Sequence, residues 1–159
     1  TEKRFSAERS WEFDVMAQGW RYHMSNIMAA IGIEQLDRFP DFSTKRKKLA
    51  YRYDQEFANV AGITPISQSY DEVTPHIYVV HLDESVDRQL LRKRLEESGI
   101  QTGVHYQNNH QLSNFGSGNI SLPIAESLFP VLLSLPLHPD LDDKDVVRVC
   151  SELSKACVK

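Results

Sequence analysis

The chain has 159 residues, 41% of them hydrophobic and 25% charged, with a formal net charge of -4. That is enough chain for one soluble domain with its own core, and the acidic balance argues against a general nucleic-acid binder. No apolar run is long enough to cross a membrane, so no membrane partner is expected.

Residues 1–10 are polar, lack an initiator Met and read as peripheral, as if the chain began inside something larger. Trp11-Glu-Phe-Asp-Val15 alternates apolar and polar, which predicts a short half-buried strand. A glycine then opens an aromatic, polar loop: Gly19, Trp20, Arg21, Tyr22 and His23. Ser25 is a good N-cap for the helix predicted over about 25–38. Met24, Ile27, Met28 and Ile31 recur at helical spacing, while Ala29, Ala30 and Gly32 keep another flank small. Arg21 and His23 precede this N-terminus, where an anion is favoured.

Phe39-Pro40 is expected to break the helix, and a second one is predicted over about 41–60 with Leu49, Ala50, Tyr53 and Phe57 on one face. Its basic run, Lys45 to Lys48, reads as a solvated face. Residues 62–75 read as a loop. His76-Ile-Tyr-Val-Val-His-Leu82 is β-branched and aromatic, hence a strand. A helix over 87–98, with Asp83 and Ser85 offering a cap, is expected to turn Leu90, Leu91 and Leu95 inward and to stop at Gly99. Ile100 to Tyr106 reads as a further strand, giving a β-α-β unit. A long polar loop over 107–121 follows, then a short helix near Pro123. Leu133-Ser-Leu-Pro-Leu137 is predicted to be a short edge strand, because Pro136 excludes a central one. Asp142 or Asp143 caps a last helix with Val146, Val149, Cys150, Leu153 and Cys157 on one face. The two cysteines are two turns apart, too distant for a disulfide, and suit a reducing compartment.

Among candidate chemistries, zinc is weakly supported: there is no Cys-x-x-Cys and no His-Glu-x-x-His, and His76 and His81 are expected on opposite strand faces. No metal site is expected. A Walker A loop and a Gly-x-Ser-x-Gly elbow are also missing. Two groups of residues stand out. One is Arg21 with His23; the other is His105-Tyr106, where a predicted strand enters the long loop.

Several segments resemble those of the DegT/StrS family of pyridoxal-phosphate (PLP) sugar-nucleotide aminotransferases. Gly19-x-x-Tyr-x-Met-Ser25 resembles the family's Gly-Tyr-Asn-Tyr-Arg-Met-Ser. Lys45 to Tyr53 resembles its Arg-rich helix, and Pro75-His-Ile-Tyr-Val-Val80 its His-Leu-Tyr-Val strand. Gly99-Ile-x-Thr-Gly-Val-His-Tyr106, followed by His110, resembles its Gly-Ile-x-Thr-x-x-His-Tyr-x-Pro-x-His motif, with Asn108 at the proline position. Leu122-Pro-x-Ala-Glu126 and Leu133-Ser-Leu-Pro-Leu-His-Pro139 complete the likeness over about 19–153.

The resemblance implies an α/β fold of the α+β small-domain kind, the C-terminal domain of a fold-type I PLP aminotransferase, with a small sheet packed against helices. Residues 1–18 are then a linker and strand segment left from the large domain, and 19–159 the small domain. It implies PLP as cofactor of the full-length enzyme, a nucleotide sugar and an amino-group donor, expected to be glutamate, as small-molecule partners, a homodimer, and a cytoplasmic location. Cofactor-binding positions fall on Arg21 and His23, which replace the family's Asn and Arg. Substrate-binding positions fall on His105, Tyr106 and His110. The Schiff-base lysine of the family has no match among this chain's eight lysines, so no catalytic residue is assigned and the chain alone is expected to be inactive. The alternative is a degenerate, non-catalytic family fragment that serves as a binding or dimerisation module.

Overall fold

The computed structural model describes residues 17–20, 22–66, 68–115 and 120–157. The strand expected over Trp11–Val15 lies outside them. The chain divides into two units, Thr1–Asp37 and Arg38–Lys159.

In the first unit, residues 17–20 and 22–25 carry no regular structure, and helix α1 (Asn26–Phe57) begins there. Ser25 is its cap: the Met28 N–H donates to Ser25 Oγ at 3.2 Å. The apolar stripe through Ile27, Met28 and Ile31 is exposed.

The expected break at Pro40 does not occur, and one helix replaces the two predicted. Proline removes a single N–H, the one that would bond the Leu36 carbonyl. Leu36 is exposed, so water can satisfy that carbonyl. Further on, Leu49, Ala50, Tyr53 and Phe57 are buried as predicted, and this burial offsets the proline's cost of about 3 kcal/mol or more.

The second unit is built on a three-stranded antiparallel sheet in the order β1-β2-β3: β1 (Ile63–Pro65), β2 (Tyr78–Leu82) and β3 (Leu132–Leu135). Strand β1 lies in the stretch expected to be loop; three residues ending in proline give too little alternation to register as a strand, and the edge position tolerates Pro65. Register pairs Ile63 with Leu82, and Tyr78 with Leu135. Tyr78, Val80 and Leu82 alternate inward from β2.

The β-α-β unit is not formed. Residues 100–106 make one isolated antiparallel bridge, Gly103 with Ser134, on the outer side of β3 rather than a parallel strand. Both Gly103 backbone groups go to Ser134, each at 2.9 Å, and no ladder continues beyond.

Helix α2 (Arg88–Glu97) is capped by Asp87, whose carboxylate accepts from Gln89 and Leu90 N–H, not by Asp83 or Ser85. Asp83 instead accepts from Ser85 N–H in the preceding turn. Leu91 and Leu95 are buried, but Leu90 is exposed, so the inward stripe is narrower than expected. Arg88 turns in, donating to the carbonyls of Phe129 and Leu132. Gly99 adopts φ 73°, the left-handed stop that other residues resist. Helix α3 (Pro123–Leu128) begins on its proline, and α4 (Asp143–Cys157) is capped by Asp142, which accepts from Lys144 and Asp145 N–H. Val146, Val149, Cys150 and Leu153 of α4 join Leu91, Leu95, the sheet and the second half of α1 in one core.

Tyr53 stacks on Tyr78 with ring centroids 4.5 Å apart and donates its hydroxyl to the Pro136 carbonyl at 2.9 Å. Tyr78 donates to Asp54 at 2.6 Å, and Tyr70 to the same oxygen at 3.4 Å. Burial, reinforced by Asp54, pushes the Tyr78 phenol well above its ordinary range. Both cysteines are free thiols, and burial pushes Cys150 up to about 12.

Candidate functional site

The expected site residues fall in both units. In the first, His23 is exposed, three residues ahead of the start of α1, between exposed Tyr22 and Met24. Arg21 lies outside the described residues.

In the second unit the His-Tyr pair follows the Gly103–Ser134 bridge. The His105 and Tyr106 rings meet edge to face with centroids 4.8 Å apart. Tyr106 is 77% exposed. His105 is exposed too, but its ring is held: Nδ1 lies 2.9 Å from Ser134 Oγ. Beneath it is Gly103, where a Cβ would come within 2.5 Å of His105 Cε1. Any larger residue at 103 would displace the imidazole.

His110 is not grouped with His105. It sits on a 3-10 turn (Asn109–Gln111), its side chain only 8% exposed, with Nε2 2.9 Å from Glu126 Oε1 on α3. The same carboxylate oxygen accepts from Leu122 N–H at 2.8 Å. These bonds, the Leu122 amide first and His110 second, hold the Glu126 carboxyl below its ordinary range. Asn108, at the family's proline position, donates to the Ala125 carbonyl at 3.2 Å. The loop carrying His110 is thus tied to α3 at two points.

Ser134, Gly103 and Glu126 escape a search for reactive residue types. Ser134 is hidden in an apolar Leu-Ser-Leu run, and Gly103 looks like a turn residue.

A model of the DegT/DnrJ/EryC1/StrS aminotransferase family matches residues 2–154. The chain belongs to that family. It is 33% identical to the dTDP-4-dehydro-2,3,6-trideoxy-D-glucose 4-aminotransferase of Saccharopolyspora spinosa, over 95% of this chain and 39% of that protein. The aminotransferase TlmJ from Streptoalloteichus hindustanus superposes with a TM-score of 0.80 at 36% identity, over 94% of this chain and 41% of that one. Spr1654 from Streptococcus pneumoniae, solved in its PLP-form, superposes at 0.85 with 29% identity over 93% and 39%. The chain therefore spans about two fifths of the length of these relatives.

PLP in this family calls for a test of fit. A lysine that condenses with an aldehyde must be neutral, a state favoured by burial. None of the six described lysines is buried; Lys48 pairs with Asp143 and Lys155 with Glu152. Among the described residues, no lysine has the buried setting that a covalent PLP anchor needs. What they supply is non-covalent: a fixed imidazole, an exposed phenol and a half-buried His-carboxylate pair. Among the described residues, no group of three or more His, Cys, Asp or Glu is placed to hold a metal ion, and no helix is long and apolar enough to cross a membrane.

Proposed function

We propose that this chain is the C-terminal, small-domain part of a PLP-dependent aminotransferase that converts a keto sugar nucleotide to an amino sugar nucleotide, with glutamate as donor. Residues 19–159 form that domain, and 1–18 lead into it from the large domain. The amine that holds PLP comes from the large domain, so the chain by itself does not transaminate. The enzyme works as a cytoplasmic homodimer. Its exposed Ile27, Met28 and Ile31 stripe supports this reading, since contiguous apolar residues on one helix face call for a covering surface.

In this reading His105 and Tyr106 contact the sugar nucleotide, and His110, paired to Glu126, is a further substrate contact from the loop that follows. Arg21 and His23 face the cofactor phosphate. Arg21 replaces a neutral asparagine, so it would bind that phosphate with charge assistance. The observation that carries the reading is the exposed His105–Tyr106 pair, fixed to the sheet edge within a chain whose relatives include a sugar-nucleotide aminotransferase.

The test is kinetic, on the whole enzyme that carries this sequence. His105→Ala and Tyr106→Phe should each raise the KM for the keto sugar nucleotide about tenfold, the loss of one hydrogen bond in a dry site. The half-reaction with glutamate should keep its rate. A loss confined to the glutamate half-reaction would contradict the assignment. A second arm uses the 159-residue chain with PLP: a stoichiometric absorbance band abolished by substituting one of its own lysines would overturn the statement that the anchoring amine lies elsewhere.

A further inference from the structure

Ser134 is the buried polar residue among those described, 4% exposed, and the β3 alternation turns it to the sheet face opposite that of its core neighbours Leu133 and Leu135. Its backbone faces Val79 of β2 on one side and exchanges two hydrogen bonds with Gly103 on the other. Its hydroxyl has one partner among the described residues, His105 Nδ1. A hydroxyl carries one donor and two acceptor sites, and a buried donor left unpaired costs about 1–3 kcal/mol, more than an idle lone pair. If Nδ1 carried the ring proton, Ser134 would have to accept, and its own buried O–H would have no acceptor among the described residues. If Ser134 donates, its O–H is satisfied and Nδ1 is an acceptor. The neutral ring then carries its proton on Nε2.

We infer that Ser134 is a positioning residue that sets His105 to present an Nε2–H donor, and that the bare Gly103 beneath the ring is what lets it take this pose. A ring fixed this way suits an oxygen-rich ligand, such as the diphosphate or sugar oxygens of a nucleotide sugar. It does not suit a general base, because the exposed nitrogen has no lone pair to offer. The ligand half of this inference rests on the reading of His105 as a substrate contact; the tautomer half does not.

The test is nitrogen NMR of the imidazoles in the 15N-labelled full chain, at a pH where His105 is neutral. Long-range proton–nitrogen correlations should show Nδ1 as the bare nitrogen, and His105 Hε1 should give a cross-peak to the Gly103 Hα protons. In Ser134→Ala, which removes the hydroxyl without adding volume, Nδ1 should shift and that cross-peak should be lost, while the amide pattern of β2 and β3 persists. Gly103→Ala should abolish the same cross-peak by displacing the ring. A wild-type His105 protonated on Nδ1 overturns the inference without reference to any variant, as does a Ser134→Ala spectrum in which Nδ1 has not moved. Adding dTDP-glucose to the wild-type chain should shift Nε2 and its proton more than Nδ1. If the tautomer is as stated but this probe moves neither nitrogen, the substrate reading of His105 fails and the positioning by Ser134 stands.

Discussion

Helix α1 carries two apolar stripes of nearly equal quality that meet opposite fates. In its first half Ile27, Met28 and Ile31 recur at helical spacing and remain exposed, Ile31 by 53%. In its second half Leu49, Ala50, Tyr53 and Phe57 recur the same way and are buried, Phe57 to 2%. The two stripes differ in partners rather than in pattern. The second lies on the core that includes Tyr78, Leu133 and Leu153, whereas the first has no such cover among the described residues. Helical periodicity states which face needs a partner; it does not state that the partner is present.

This contrast can be broken by substitution, and the largest effect is expected at its buried end. Phe57→Ala should cost about 3–5 kcal/mol, measured by urea unfolding, because it empties a filled core position. Ile31→Ala should stay within about 0.5 kcal/mol in the same assay. Comparable losses at the two sites would mean that the first stripe is also packed. Next in size, Asp54→Ala should cost about 1–3 kcal/mol by leaving the buried Tyr78 hydroxyl without its acceptor. The same network has a pH signature. The Tyr78 phenol is held above its unfolded value, so its stabilisation is complete below pH about 10 and is lost as the pH rises beyond that. A stability profile flat between pH 9 and about 11 would refute it. Smaller still, Ser25→Ala should cost about 1 kcal/mol of helix stability, seen as faster amide exchange at Met28 and its neighbours. Glu126 adds an acid-side effect: its depressed carboxyl contributes above the ordinary carboxylate range and is lost as the pH falls below it, loosening the loop that carries His110. Amide exchange around 108–112 should rise there before the sheet unfolds.

Cys150 gives a check on the core that does not depend on stability. Its thiol is buried and pushed up to about 12, so little thiolate exists at neutral pH. Alkylation should be slow in the folded chain and become fast only in denaturant.

The legible parts of the fold were those with long periodic signals: the buried face of α1 through Phe57, the β2 strand, the stop at Gly99 and the α4 face around Val146 and Leu153. Pro40 misleads because its penalty is local, whereas the burial that overrides it lies about two and a half to nearly five turns away. Strand β1 is too short to show a period. Residues 100–106 have strand composition, yet their backbone joins the sheet only through Gly103, because strand identity depends on a ladder partner and not on propensity. At the site, His105, Tyr106 and His110 stand out as reactive residue types, and the family motif gathers them. Their supports do not. That Ser134 holds one ring, and that Glu126 holds another, follows from contacts 29 and 16 residues apart in the chain.

The central claim is that the fixed His105–Tyr106 pair is a nucleotide-sugar contact, and a titration of the chain with dTDP-glucose, followed through side-chain resonances, tests it most directly. Saturable shifts are expected at His105 and Tyr106, reduced in His105→Ala, with none at Cys150 or His138. Saturable shifts elsewhere with those two residues unmoved, or no shift at millimolar probe, would contradict it.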